Sequence, residues 1–132
     1  MCWLSKNIPI KCIAEEDIHV RKVLYVATDG VITSPVQGAT KWKLGVLYST
    51  WLQESPGRSS FTGTYTLWKG FHSCKDIAKT GIFWINPISG EILFGRDEAD
   101  RIYDAIIPKG ASYYESENGE YISSQLIIVK PL

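Results

Sequence analysis

Two histidines and three cysteines among 132 residues leave little material for metal chemistry. Cys2, Cys12 and Cys74 are odd in number and form no Cys-x-x-Cys pair, so neither a disulfide framework nor a closed structural zinc site is expected. The thiols read as free, in a reducing cytosol. An excess of charge is missing too: 14 basic residues balance 14 acidic ones. Residues 1–66 carry seven basic and five acidic side chains, residues 67–132 seven and nine, so neither half is a basic arm. That balance removes the long-range field on which nonspecific nucleic-acid binders depend. No stretch approaches the roughly twenty apolar residues of a membrane span, and the first residues lack the pattern of a signal peptide. Nor is there a phosphate-binding glycine loop, because Gly70-Phe-His-Ser-Cys-Lys has neither the spacing nor the paired glycines. A single cytoplasmic domain without metal or cofactor is the expectation, with neither membrane nor nucleic acid as its partner.

What the sequence does have is short apolar runs closed by glycine turns. Val23–Thr28 is β-branched and aromatic, Asp29-Gly30 follows, and Val31-Ile-Thr resumes the strand pattern. Ser89-Gly90 and Asn118-Gly119 repeat the arrangement. Such pairs favour hairpins, because Gly reaches positive φ without steric cost. Further strands are expected over 8–13, over 42–48 with a bend at Gly45, over 62–69, over 105–107 before Pro108, and over 125–129. Two short helices are expected as well: one from Ser73 as N-cap to the residue before Gly81, the other over 97–103 with acids in its first turn. The fold expectation is therefore α+β: mostly antiparallel strands in a curled sheet or partial barrel, with one or two short helices laid on it.

Three groups of residues are candidates for chemistry or binding. His72 and Cys74 lie two apart, so on a strand they share a face, where an imidazolium could activate a thiolate. The plainer reading makes Phe71 a core residue and His72 a partner of backbone groups. Glu115-Ser-Glu117 resembles the Glu-x-Glu of ADP-ribosyltransferases. With Arg21 and Ser73 in the same chain order, the resemblance implies substrate clamp, support and carboxylate roles for Arg21, Ser73 and Glu117. The plainer reading is a solvated hairpin tip. Among the five tryptophans, Trp42 between two lysines should point inward, whereas Trp51 before the loop 53–60 is the candidate for an exposed aromatic at a binding surface.

Two stretches together carry a family resemblance. Lys69-Gly-Phe-His-Ser-Cys follows Lys41-Trp-Lys-Leu-Gly-Val-Leu-Tyr; later, Ala105-Ile-Ile-Pro-Lys-Gly-Ala-Ser-Tyr-Tyr precedes Gly119-Glu-Tyr-Ile-Ser-Ser-Gln-Leu-Ile-Ile. In these the chain resembles small proteins of intestinal Bacteroides-type bacteria and their phages that have no assigned activity. The resemblance implies a mobile-element or host-interaction setting and carries no catalytic residues. The functional expectation is a non-enzymatic module that binds a protein or small-molecule partner, with a small ADP-ribosyltransferase-like transferase as the alternative.

Overall fold

The computed structural model describes residues 3–26, 28–33, 41–58, 60, 63–67, 69–75, 100–117 and 119–131. They form thirteen strands: β1 (Trp3–Ser5), β2 (Cys12–Ile13), β3 (Ile18–Val26), β4 (Ile32–Thr33), β5 (Lys41–Trp42), β6 (Leu47–Ser49), β7 (Gly57–Arg58), β8 (Tyr65–Leu67), β9 (Phe71–Cys74), β10 (Asp100–Ile107), β11 (Ser112–Glu115), β12 (Glu120–Ser123) and β13 (Gln125–Pro131). The larger sheet runs β2-β11-β12-β9-β3-β10-β13-β6, with β4 and β5 branching from β3; the smaller is β1-β8-β7. All the pairings are antiparallel.

The backbone of the sheet is the β3–β10 ribbon, eight register pairs from Asp100↔Tyr25 to Ile107↔Ile18. The other edge of β3 is shared, by β9 at Arg21↔Cys74 and by β4 at Tyr25↔Thr33. Alternation along β3 sends Val20, Lys22, Leu24 and Val26 to one face. There they meet Tyr103, Ala105 and Ile107 of β10, Tyr121, Leu126, Ile128 and Trp42 in the main core. Trp42 is buried while Lys41 and Lys43 are exposed, as alternation predicts, and its ring stands edge-on to Tyr48 and Phe71 at 4.9 and 5.1 Å. On the opposite face the residues around β8 close a second core of Leu52, Leu67, Tyr114 and Ile122. Gly70 makes this possible: at φ +145° a Cβ there would sit 2.6 Å from Ile122 Cγ1 and 2.9 Å from Leu52 Cδ1.

The α+β expectation is overturned. Among the described residues there is no helix. Ser73 and Cys74, expected to open one, instead pair in β9 with Tyr121 and Glu120; residues 76–80 lie outside the described residues. Within the second expected helix, Asp100–Tyr103 forms the start of β10 against Tyr25–Lys22. A two-turn helix is marginal by itself, so a long neighbouring strand with open hydrogen-bonding groups decides the conformation. The partial barrel is corrected as well: the sheet path is open, ending in β2 and β6. Sharp turning does occur at Ser124, which separates β12 from β13; its N–H donates to Ser112 O and its carbonyl accepts from Thr50 N.

The Asp29-Gly30 hairpin forms, but the strands pair only from Val26↔Ile32 outward, and between them Asp29 Oδ1 accepts from Val31 N. At the Asn118-Gly119 turn, Ser116 N and Glu120 O close the β11–β12 hairpin. The strand expected over 42–48 splits into β5 and β6 around a turn at Leu44-Gly45, where Gly45 has φ +75°. Ser89-Gly90, Trp68 and Trp84 lie outside the described residues.

Candidate functional site

The sequence candidates meet, where they meet at all, at the β3–β9–β12 junction. Register partners share a face, so Arg21, Cys74 and Glu120 form one cross-strand row. Asp104 and Lys130 continue it through β10 and β13, so charges of opposite sign alternate toward the sheet's β6 end. His72 lies two residues from Cys74 and shares that face. Cys74 is fully buried, and its thiol donates to Arg21 O at 3.4 Å. His72 and Glu120 are buried beside it, at 8% and 3% exposure. A nucleophilic thiolate needs partial access to its substrate. The geometry here packs the thiol against the β3 backbone instead.

Ser73 is not on that face. One residue from Cys74, it points into the main core with Phe71 and Tyr121. Glu117 is elsewhere again. Its Oε2 accepts from Ser5 Oγ and its Oε1 from Lys6 N, both at 2.6 Å, tying the hairpin tip to β1. Burial pushes the Glu117 carboxyl up, but the Ser5 hydroxyl, the backbone amides and the Lys6 charge outweigh it and hold the pKa below the usual carboxylate value. Arg21 and Ser73 thus occupy opposite sheet faces, and Glu117 serves the β1 contact. The three are not gathered round a common ligand position.

Lys22 is the functional type that the strand pattern hides. It occupies an apolar slot in the inward row Ile18-x-Val20-x-Lys22-x-Leu24, and is 6% exposed. Its Nζ donates to His72 O and lies 5.8 Å from the Trp42 ring centroid. Burial drives its pKa down to about 8, against a smaller upward pull from Cys74. Register places Tyr103 beside it on β10, and one step along from Arg21↔Cys74 comes Ser73. Tyr121, partner of Ser73, has its phenol pushed up to about 12 by burial and by the charge and hydrogen bond of Glu115. A Tyr103–Lys22–Ser73–Tyr121 row therefore crosses the core face, all four residues buried. An amine of lowered pKa in one row with hydroxyls has the residue types of a general base and its nucleophile, but these groups lie inside the packed core. The signal for Lys22 was the period-2 pattern itself, readable once the strand is started at Ile18 rather than at Val23.

Accessible features lie at the sheet's margins. Trp51 is 60% exposed, with the Lys69 ammonium 4.8 Å from its ring centroid. Its neighbour Leu52 is the buried anchor, and Tyr114 Oη bonds the carbonyls of Gln53 and Glu54. Ile8, Ile10 and Ile13 are 65–74% exposed on and before end strand β2. Ile13 pairs with Ser112 and so shares the Tyr114 face that carries the 51–54 loop; Lys11 and Glu54 join the two segments in an ion pair at 3.2 Å. At the other end of the sheet path, Leu44, Val46 and Leu47 are 43–50% exposed.

Among the described residues no group of three or more His, Cys, Asp or Glu side chains is placed to hold a metal ion. Among them, also, no helix is long and apolar enough to cross a membrane. Comparison of the chain with protein-family models, curated proteins and solved structures finds no match.

Proposed function

We propose that this chain is a non-enzymatic binding module whose affinity comes from apolar side chains at the margins of a rigid antiparallel sheet. The carrying observation is that Trp51 and Ile13 are both largely exposed, one beside a loop anchored through Tyr114 and the other on an end strand that the Lys11–Glu54 ion pair joins to that loop. Large aromatic and aliphatic side chains on a fixed frame bind at little entropic cost, which is how interface anchors work. The buried state of Lys22, His72, Cys74 and Glu120 supports the same reading, since their perturbed or reactive groups face protein rather than substrate. The partner is a protein or a small molecule with an apolar surface. The exposed free thiol of Cys12 fits a reducing cytoplasm, and a bacterial or phage host-interaction setting is part of the proposal.

A pull-down with the intact chain tests it. Trp51→Ala and Ile13→Asp should leave the circular-dichroism spectrum and melting transition intact while removing the captured partner. Capture unchanged in both variants would refute the reading.

A further inference from the structure

We propose that the outer edge of β6 takes up an extended acidic-and-apolar segment of a protein partner as an added strand. The inference rests on the binding-module reading and names a partner class and a place for it.

Thr50 N donates to Ser124 O, in register with Leu126↔Tyr48 and Ile127↔Leu47. Hydrogen-bonded and non-hydrogen-bonded pairs alternate along an antiparallel ladder. Tyr48 therefore bonds inward to β13, while Leu47 and Ser49 aim their N–H and C=O groups off the sheet. β6 pairs only with β13 among the described strands, so among the described residues those four groups form an open edge.

Around this edge the surface has one character. Leu44, Val46 and Leu47 are exposed, and Val129 is 38% exposed where β13 carries one extra residue between the Asp104↔Lys130 and Ala105↔Ile128 pairs. Lys41 and Lys43 stand exposed on the segment that Tyr48 Oη holds, whereas Lys130 is the register partner of Asp104 on the Leu47 face. Residues 30–53 and 125–132 contain no Asp or Glu. A segment that alternates apolar and acidic residues matches both properties at once, its apolar side chains on Leu47 and its carboxylates on the Tyr48 face toward Lys41 and Lys43.

The edge is also held in shape before anything binds. Tyr48 Oη accepts from Lys43 N at 2.9 Å and donates to Lys41 O at 3.1 Å; Trp42 is buried between those lysines, and Gly45 N donates to Ile128 O. Lysines on edge strands commonly serve to prevent sheet-to-sheet association. Here they flank the edge, while the strand position itself is a half-exposed leucine, which invites addition rather than blocking it. A lipid surface fits less well, because pressing Leu47 into it would leave the outward backbone groups without partners.

The test uses the full chain, 15N-labelled, titrated with an acetylated Val-Glu-Val-Glu-Val-Glu peptide, with its Val-Lys counterpart, and with phosphatidylserine vesicles. The expected result is saturable shifts centred on Leu47 and Ser49, slowed hydrogen exchange of those two amides, and affinity at least about tenfold lower in Lys41→Glu/Lys43→Glu or at high salt. Leu47→Pro should block the peptide while sparing the inward β13 bonds, and the double lysine variant keeps the test valid if the proline variant does not fold. Equal binding of the Val-Lys peptide, protection by vesicles but not peptide, or no protection at millimolar peptide overturns the inference. If the peptide fails while Trp51→Ala has lost the pulled-down partner, strand addition falls and the binding-module reading stands.

Discussion

Raising the pH from neutrality toward 9.5 should make this protein more stable, and the reason is one side chain. Lys22 sits in an apolar slot of β3, and burial lowers its folded-state pKa from 10.5 to about 8. The unfolded chain then binds more protons than the folded one between about pH 8 and 10.5, so unfolding becomes harder as pH rises through that window. Integrating the linkage gives roughly 2 kcal/mol of added stability between about pH 7 and 9.5, out of roughly 3 over the whole range. Measurement stops at 9.5 because Tyr121, raised to about 12, works the other way. The folded state keeps that phenolic proton longer than the unfolded chain does, so stability declines above about pH 10. The assay is urea unfolding at a series of pH values for the wild type and for Lys22→Met, a neutral side chain of similar length. The variant removes the charge-burial penalty but also takes a donor from His72 O, a loss of about 1–3 kcal/mol. Its stability at neutral pH should therefore equal the wild type's or exceed it by up to about 2 kcal/mol. The difference between the two curves isolates the lysine. Parallel curves from pH 7 to 9.5 would refute the reasoning outright, because they would mean that the ammonium is solvated in the folded state.

Gly70→Ala forces a Cβ into Ile122 and Leu52 and keeps the backbone at an unfavourable φ, so it should lower the urea midpoint by the equivalent of about 1–3 kcal/mol. Ser5→Ala removes the hydroxyl bound to Glu117; an NMR titration should find that carboxyl moved up toward its ordinary pKa, and an unchanged titration would contradict the 2.6 Å contact. In a Cys2→Ser background, iodoacetamide should label Cys12 rapidly and Cys74 only as fast as the sheet opens. Rapid labelling of Cys74 in the folded protein would restore it as a candidate nucleophile. Trp51→Ala should change stability by less than about 1 kcal/mol, since it gives up little beyond the Lys69 contact; a collapse of the fold would place Trp51 in the core.

Much of the local structure was written in residue types whose effect does not depend on distant neighbours. Gly30 and Gly119 take the positive φ that their turns need, and Lys41-Trp-Lys puts the indole inward because strand side chains alternate. Those readings set an antiparallel, hairpin-rich fold before any pairing is known. The pairing partners were not legible. Asp100–Tyr103 ends a stretch whose acids at 97, 98 and 100 suit a helix start, yet it is a strand because Lys22–Tyr25 lies alongside with its hydrogen bonds open. Ser73 and Cys74 lost a helix cap's role for the same reason. Arg21, Ser73 and Glu117 have a suggestive order, but order says nothing about faces, and the register sends Arg21 and Ser73 to opposite ones. Lys22 shows the limit most clearly. Its charge argues for the surface, and only the packing of Trp42 and the β9 backbone around it holds it inside. Turn chemistry and alternation are properties of neighbouring residues. Burial, edges and perturbed ionisation arise mostly from segments distant along the chain, and they exist only once those segments meet.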